Sequence, residues 1–462
     1  MMRFHLTVLL ALLLPPVNAA DWPEIRGPHR DGTSSEKGLP ESWSPDGENL
    51  LWKAPIGGRS TPIIVGDRLY ALVPTGKDET VQERLVCLDA KSGKLLWDHK
   101  WNVYHSDVPP HRIAWSSPAG DPETGNVYVY GVGGSMLAFS RDGKKLWEHS
   151  LGETIGLITT HGGRTVSPVV DGDLVIVSGL NSGWGPTARA AHRFFAFHKK
   201  TGECMWVSSP GGQPFDTTYS PPLIHEVNGM RLLIAGAGDG AVHAMKAATG
   251  EPVWSFPMSK RGINTGVVVY NNLVFVSHGE ENLDTNEMGL IAAIDVNSKG
   301  KIALEQAKWR NIGFLGGYSS PVMDGARVYQ IDNGSNLVAF DAQTGKELWT
   351  HNLGTIQKAS LVFAEGKLYV GNENGRFFIL RPKADGVEEL SRVQLGTEKD
   401  FEEVTASAAI ANGVVYVVSH RNMYAFGKWR NAAPASKPSS GPKPGRGNPA
   451  WLQVVPTELL LK

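Results

Sequence analysis

The sequence predicts an all-β chain folded as an eight-bladed β-propeller with four antiparallel strands per blade. Three observations predict it. A turn-and-strand signature ending in tryptophan recurs as CLDAKSGKLLW (87–97), AFSRDGKKLW (138–147), AFHKKTGECMW (196–206), AMKAATGEPVW (244–254) and AFDAQTGKELW (339–349), with a stretched copy, AIDVNSKGKIALEQAKW, at 293–309. A second signature precedes the copies: Ser/Thr-Pro or similar, an apolar run, a short turn and another β-rich run, as in STPIIVGDRLYALV (60–73), SPVVDGDLVIVSG (167–179) and SSPVMDGARVYQI (319–331). The resulting period of roughly 40–60 residues is that of a propeller blade rather than a helical solenoid.

Each element follows from local chemistry. Val-Gly-Asp, Asp-Gly-Asp or Glu-Gly-Lys makes the first turn of a blade, where glycine tolerates a positive φ. The Thr-Gly-Lys-like turn makes the second hairpin. The tryptophan four residues after that glycine is expected to fill the wedge between blades, with its indole N–H on a backbone carbonyl. Fourth strands are counted at Trp52, Trp97, Trp147, Trp206, Trp254, Trp309 and Trp349. An eighth, without tryptophan, is placed near Glu388–Leu395. The orphan strand LLWKAPI (50–56) has no preceding strands of its own and is expected to complete the last blade, closing the ring.

The ends read differently. Arg3, the apolar run Leu6–Leu14 and the small residues before Ala20 form a signal peptide over 1–19, too short to span a bilayer. The junction has no cysteine for a lipid anchor, so the expected location is periplasmic or secreted. An N-terminal arm covers 20–49 and the propeller 50–430. Residues 431–450, rich in Pro, Ser and Gly, read as a linker. WLQVVPTELLLK (451–462) reads as the first strand of a further domain, or else as a segment docked on the propeller. No later run is apolar enough for a transmembrane helix. Cys87 and Cys204 fall in blades 1 and 3 and are expected to stay unbridged thiols.

With a formal net charge of −1, the chain has no basic footprint for nucleic acid. It is read as a monomer. Candidate functional residues lie on the loops that share the top face, those joining blades and those joining second to third strands. Arg59, Arg112, Arg164, Arg261 and Lys358 read as a recurrent cation at one interblade position, with His161 and Trp184 nearby. Such a ring suits a small anionic ligand, although each cation is equally able to bind carbonyls of the next blade. HGEENLDTNE (278–287) offers Glu280, Glu281 and Asp284 as hard oxygen donors for a metal such as Ca²⁺, without the spacing of a known calcium loop. A solvated acidic turn is its other reading. GAGDG (236–240) joins strands instead of opening a helix, which argues against a phosphate loop. No nucleophile elbow and no metal-ligand histidine spacing appears.

The Asp-x-x-(Thr/Ser)-Gly-x-x-x-Trp signature, over about residues 21–430, resembles the pyrroloquinoline-quinone (PQQ) repeat propellers. The opening DWPEIRGPHRDG (21–32) looks like the leader of an exported bacterial group among them. The resemblance implies either of two functions. One is a binding or scaffold module, as in the BamB-type factors of outer-membrane protein assembly, which grip a protein or polymer partner through top-face loops. The other is a PQQ- and Ca²⁺-dependent dehydrogenase of alcohols or sugars. In that branch the cofactor lies between a tryptophan and a disulfide of adjacent cysteines, beside calcium and a catalytic Asp. This chain has no adjacent cysteines; Trp184 would cover one face, Arg164 or Arg261 would hold carboxylates, and Asp216 or Asp332 would be the base. A third class, polymer handling, would use Trp101, Tyr104, Trp115 and Trp184. The expectation is a binding module without a catalytic motif.

Overall fold

Each blade starts with a short strand at the central channel and ends with a strand at the rim. The computed structural model describes residues 21–103, 108–158, 163–183 and 189–430, and the backbone of 453–455. Its strands form eight antiparallel sheets of four core strands each, an eight-bladed propeller. Blade 1 runs through Ile63–Val65, Arg68–Thr75, Gln82–Asp89 and Leu95–Asn102. Blade 8 runs through Ala409–Ala411, Val414–Val418 and Met423–Gly427, and its fourth strand is Leu50–Ala54. Trp52 pairs with Ala425 there, so the two ends of the ring share one sheet. The rim strand of blade 7 is Val387–Gln394, the strand expected without tryptophan.

The turns obey the chemistry read from the sequence. At Asn228-Gly229, Asn271-Asn272, Glu365-Gly366 and Asn412-Gly413, both central residues take positive φ. That is the twist a two-residue hairpin requires.

The rim tryptophans bind successive blades. The indole N–H groups of Trp52, Trp97, Trp147, Trp254, Trp309 and Trp349 donate to Ala90, Arg141, Lys199, Val296, Ala342 and Lys383 carbonyls of the following blade, at 2.9–3.3 Å. The repeat glycine of that blade is the seat: a Cβ on Gly93 would stand 2.6 Å from Trp52, and one on Gly143 2.7 Å from Trp97. Trp206 is the exception. Its indole nitrogen has no acceptor, and the Gly250 carbonyl is taken by the Ser208 hydroxyl at 2.6 Å. The residue just before the tryptophan is skipped in the pairing, as where Trp97 and Leu95 face Cys87 and Leu88. Leu51, Leu96, Leu146 and Leu348 occupy this bulge and are exposed. A bulged edge strand resists pairing with another sheet.

The N-terminal arm closes one end of the channel. Trp22 exchanges two backbone hydrogen bonds with Ile64 of blade 1, and Pro23 accepts from Gly120 of blade 2. Glu24 accepts from Val170 N–H of blade 3. The buried Arg26 guanidinium donates to Pro321 and Leu361 carbonyls of blades 6 and 7. Glu36 accepts from Asn412 and Gly413 N–H of blade 8. Six blades are thus stitched by the fifteen residues 22–36, and burial lowers the Arg26 pKa to about 10.

At the other terminus, Gln453–Val455 lies parallel to the rim strand Cys204–Ser208 of blade 3, with Gln453 opposite Trp206. The rest of 431–462 lies outside the described residues.

Candidate functional site at the channel mouth

A belt of hydroxyls lines the channel. Backbone N–H groups donate to the next blade's side-chain oxygen: Ser117 to Ser167, Gly266 to Ser320, Ser320 to Ser360, Ser360 to Ser407, and Ser407 to Thr61, at 2.8–3.1 Å. These are the Ser/Thr positions of the second signature. Pro221 has no N–H and no hydroxyl, so the belt breaks at blade 4, and it breaks again between blades 1 and 2, where the Ser117 hydroxyl has no partner among the described residues. The belt fixes the register of the interblade loops, and two residues earlier stand Arg59, Trp115, Thr165, Tyr219, Asn264, Tyr318, Lys358 and Thr405, which line the same cavity. That cavity is about 60 Å³, closed below by Ile25 of the arm.

The five cations therefore do not share one register. Arg59 and Lys358 do. Arg164 stands one residue earlier in its loop, and Arg112 and Arg261 stand three earlier, because the interblade loops differ in length. Four of the five still converge: after burial, the charges of Arg112, Arg59, Lys358 and Arg164 press the His111 pKa below its ordinary value. Arg261 lies apart, beside Glu280 and Glu281.

Most of these charges are matched within the chain. Arg59 pairs with Glu403 at 3.2 Å, Lys358 with Glu373, and Arg261 with Glu281 at 3.5 Å. In two of the three pairs the cation lies on an interblade loop and the carboxylate on the second-to-third strand loop of the following blade, which places both loop classes on one face. Arg164 differs. Its guanidinium carbon lies 5.1 Å from the Trp115 ring centroid and 5.5 Å from those of Tyr219 and Tyr318. Trp115 and Tyr219 also meet edge to face at 5.7 Å. No hydrogen bond or ion pair reaches Arg164 from any described residue, and its Nε is buried without an acceptor. Burial pushes the Tyr219 hydroxyl pKa far up, against the opposing charge of Arg164.

The proposed metal ligands do not converge. Glu281 faces Arg261, and Asp284 faces Arg310 at 2.7 Å. The Glu280 pKa is raised by burial and then by Glu281 and Asp216, with Arg261 opposing. Among the described residues, no three His, Cys, Asp or Glu side chains form a group able to hold a metal. His161, Tyr104 and Trp184 lie outside the described residues. Trp101 is committed to Glu83, to which its indole N–H donates at 3.0 Å. Asp332 binds Asn336 within its own turn.

A quinone cofactor of the kind the resemblance implies does not fit the residues present. The cavity is several times smaller than the roughly 300 Å³ that cofactor-sized ligands need. Arg164 and its three rings stand at its mouth. Cys87 and Cys204 are free thiols in separate blades.

Sequence reasoning missed Tyr219 and, beside the chosen Asp216, Phe215. Gly212 N–H donates to Asp239 at 3.0 Å, and Asp239 bonds His243 at 3.1 Å. Burial opposes ionisation of Asp239, yet His243 and the N–H groups of Gly212 and Ala241 outweigh it and hold its pKa at about 2. This buried pair steadies the loop that leaves Phe215 60% exposed. The other exposed large apolar side chains of the top loops are Ile155, Leu283, Met288, Leu315 and Ile356. Among the described residues, the opposite-face hairpins carry two, Met230 and Tyr270.

The profile of the PQQ-repeat family described as "Outer membrane protein assembly factor BamB" matches four overlapping stretches, 41–218, 81–312, 190–355 and 238–446. The chain is 25% identical to outer membrane protein assembly factor BamB of Burkholderia pseudomallei, over 73% of this chain and 80% of that one. It is 21% identical to polyvinylalcohol dehydrogenase of Sphingopyxis sp., over 68% of this chain and 48% of that enzyme. Among solved structures, BamB from Moraxella catarrhalis matches with a TM-score of 0.57 at 16% identity, covering 82% of this chain and 99% of that one. A europium-containing methanol dehydrogenase matches with 0.61 at 12% identity, covering 88% and 98%. At such identities the structural matches show the fold alone.

Proposed function

Because the chain belongs to the PQQ-repeat propeller family described by the BamB assembly factor, we propose that it is a protein-docking scaffold of the bacterial envelope that binds its partner with the top face. The observation that carries this reading is the distribution of exposed apolar side chains. Among the described residues, six stand on the top loops against two on the opposite hairpins. Around them the charges are already paired in cis, as in Arg59–Glu403 and Arg261–Glu281. Apolar side chains in a frame of satisfied charges suit a protein interface. Export, which the Leu6–Leu14 run supports, would bring the chain to the compartment that the relatives' name implies.

The test places a photo-crosslinking residue at Phe215, Met288 or Ile356, and at Met230 as the opposite-face control, in cells that make the protein. Crosslinks to protein from the top positions and none from Met230 are expected. Equal or absent crosslinking would remove the reading. Calorimetric titration with PQQ and Ca²⁺ is expected to show no saturable binding. Saturation abolished by Arg164→Ala would favour the dehydrogenase branch instead.

A further inference from the structure

Three of the five cations at the mouth of the channel are matched with carboxylates. Arg59, Lys358 and Arg261 each face a glutamate supplied by a nearby loop. The loop that would serve Arg164 by the same logic is the second-to-third strand connection of blade 3. Its residues 182–190, SGWGPTARA, contain no acidic side chain and instead add Arg189. Among the described residues, Arg164 has aromatic partners alone. Rings attract a guanidinium through their π clouds and leave its N–H bonds without oxygen acceptors. The Nε of Arg164 is buried in that condition. A guanidinium whose stem and orientation are fixed by three rings, with its donor edge unpaired, is preorganised for a forked bond to an oxyanion.

We propose that Arg164 is the docking point for a carboxylate carried by a polypeptide partner, the counter-charge that no described residue supplies. The proposal rests on the docking reading of the same face. Carboxylate is the chemistry already matched to the neighbouring cations by Glu403, Glu373 and Glu281. The aromatic clamp holds the guanidinium at the mouth before the ligand arrives, which lowers the ordering cost of binding.

The experiment follows the Nε–H resonance of Arg164 in the full-length, ¹⁵N-arginine-labelled chain, assigned by its loss in Arg164→Gln. The probes are a short peptide with a free C-terminal carboxylate, the same peptide as its amide, acetate, and inorganic phosphate. The free-acid peptide and acetate are expected to shift the resonance saturably in the millimolar range, and the amide to leave it in place. By calorimetry, Arg164→Lys should bind the peptide several-fold more weakly, because the charge remains and the fork is lost. Equal shifts with acid and amide, or no shift, would overturn the proposal, as would tighter binding of phosphate than of the carboxylates. The Phe215 and Met288 crosslinks are read separately. If they persist in Arg164→Gln while no carboxylate response exists, this inference fails and the docking face stands. If the response exists without crosslinks, the docking reading fails.

Discussion

The indole N–H of Trp52 donates to the Ala90 carbonyl at 3.0 Å, and its ring rests on Gly93. This contact joins blade 8 to blade 1, so one side chain near the start of the chain latches the ring. Trp52→Ala is expected to cost about 3–5 kcal/mol, the range for emptying a large buried aromatic site. Gly93→Ala attacks the same seat, since its φ is +71° and the new methyl would meet the indole. Urea unfolding of both variants checks this; a change under about 1 kcal/mol in each would show that the latch is dispensable.

Arg26 is the corresponding residue of the arm. Its guanidinium serves the carbonyls of Asp31, Pro321 and Leu361 at 2.5–3.2 Å. Arg26→Met would leave three carbonyls without that donor, at a cost of about 3 kcal/mol or more. Limited proteolysis should cut the variant first within the arm, before the blades. Unchanged cleavage kinetics would show that the other stitches suffice.

Glu83 gives a pH dependence with a definite sign. Its carboxylate is fully buried and accepts from Val132 N–H at 3.0 Å, Ala114 N–H at 3.1 Å and the Trp101 indole. Burial dominates these lowering bonds and raises its pKa to about 7. The folded chain therefore binds this proton more tightly than the unfolded chain. The stabilisation is fully present below the unfolded value of about 4.5 and is lost as pH rises towards 7, about 3 kcal/mol in all. Glu83→Gln should flatten the stability profile between those values while weakening the Trp101 bond. An unchanged slope would assign the pH dependence elsewhere.

The two thiols should be inert in the folded chain. Burial pushes Cys87 up to about 12 and Cys204 up to about 11. Thiolate is the reactive form, so a disulfide reagent near neutral pH should label them at the rate of unfolding. Labelling faster than unfolding would contradict this.

The scaffold was legible because its determinants are local and repeated. The turn glycines, the tryptophan spacing and the lone strand at residue 50 each state their own role within a dozen residues. Even the blade 7 rim strand, which lacks tryptophan, lies within one residue of its expected place. The channel mouth was legible only in part. Arg164 was chosen, but as one of five equivalent cations, because loops of unequal length conceal the register. Aligning the copies on the belt hydroxyls would have set Trp115, Tyr219 and Tyr318 in one column and exposed the cage. The work of Trp22, Glu24 and Arg26 could not be read, since their partners lie tens to hundreds of positions away.

The arm and the shared blade bear on the order of assembly. Residues 22–54 are made before the blades they join, for Arg26 needs Leu361, Glu36 needs Asn412, and Leu50–Ala54 needs Met423–Gly427. The leading segment must wait, unpaired, until the last blade exists. Blades 2 to 6 can collapse one after another in the meantime, but the native topology cannot be sealed on a nascent chain. A protein latched in this way reaches its final form only when both ends of the ring stand in the same compartment.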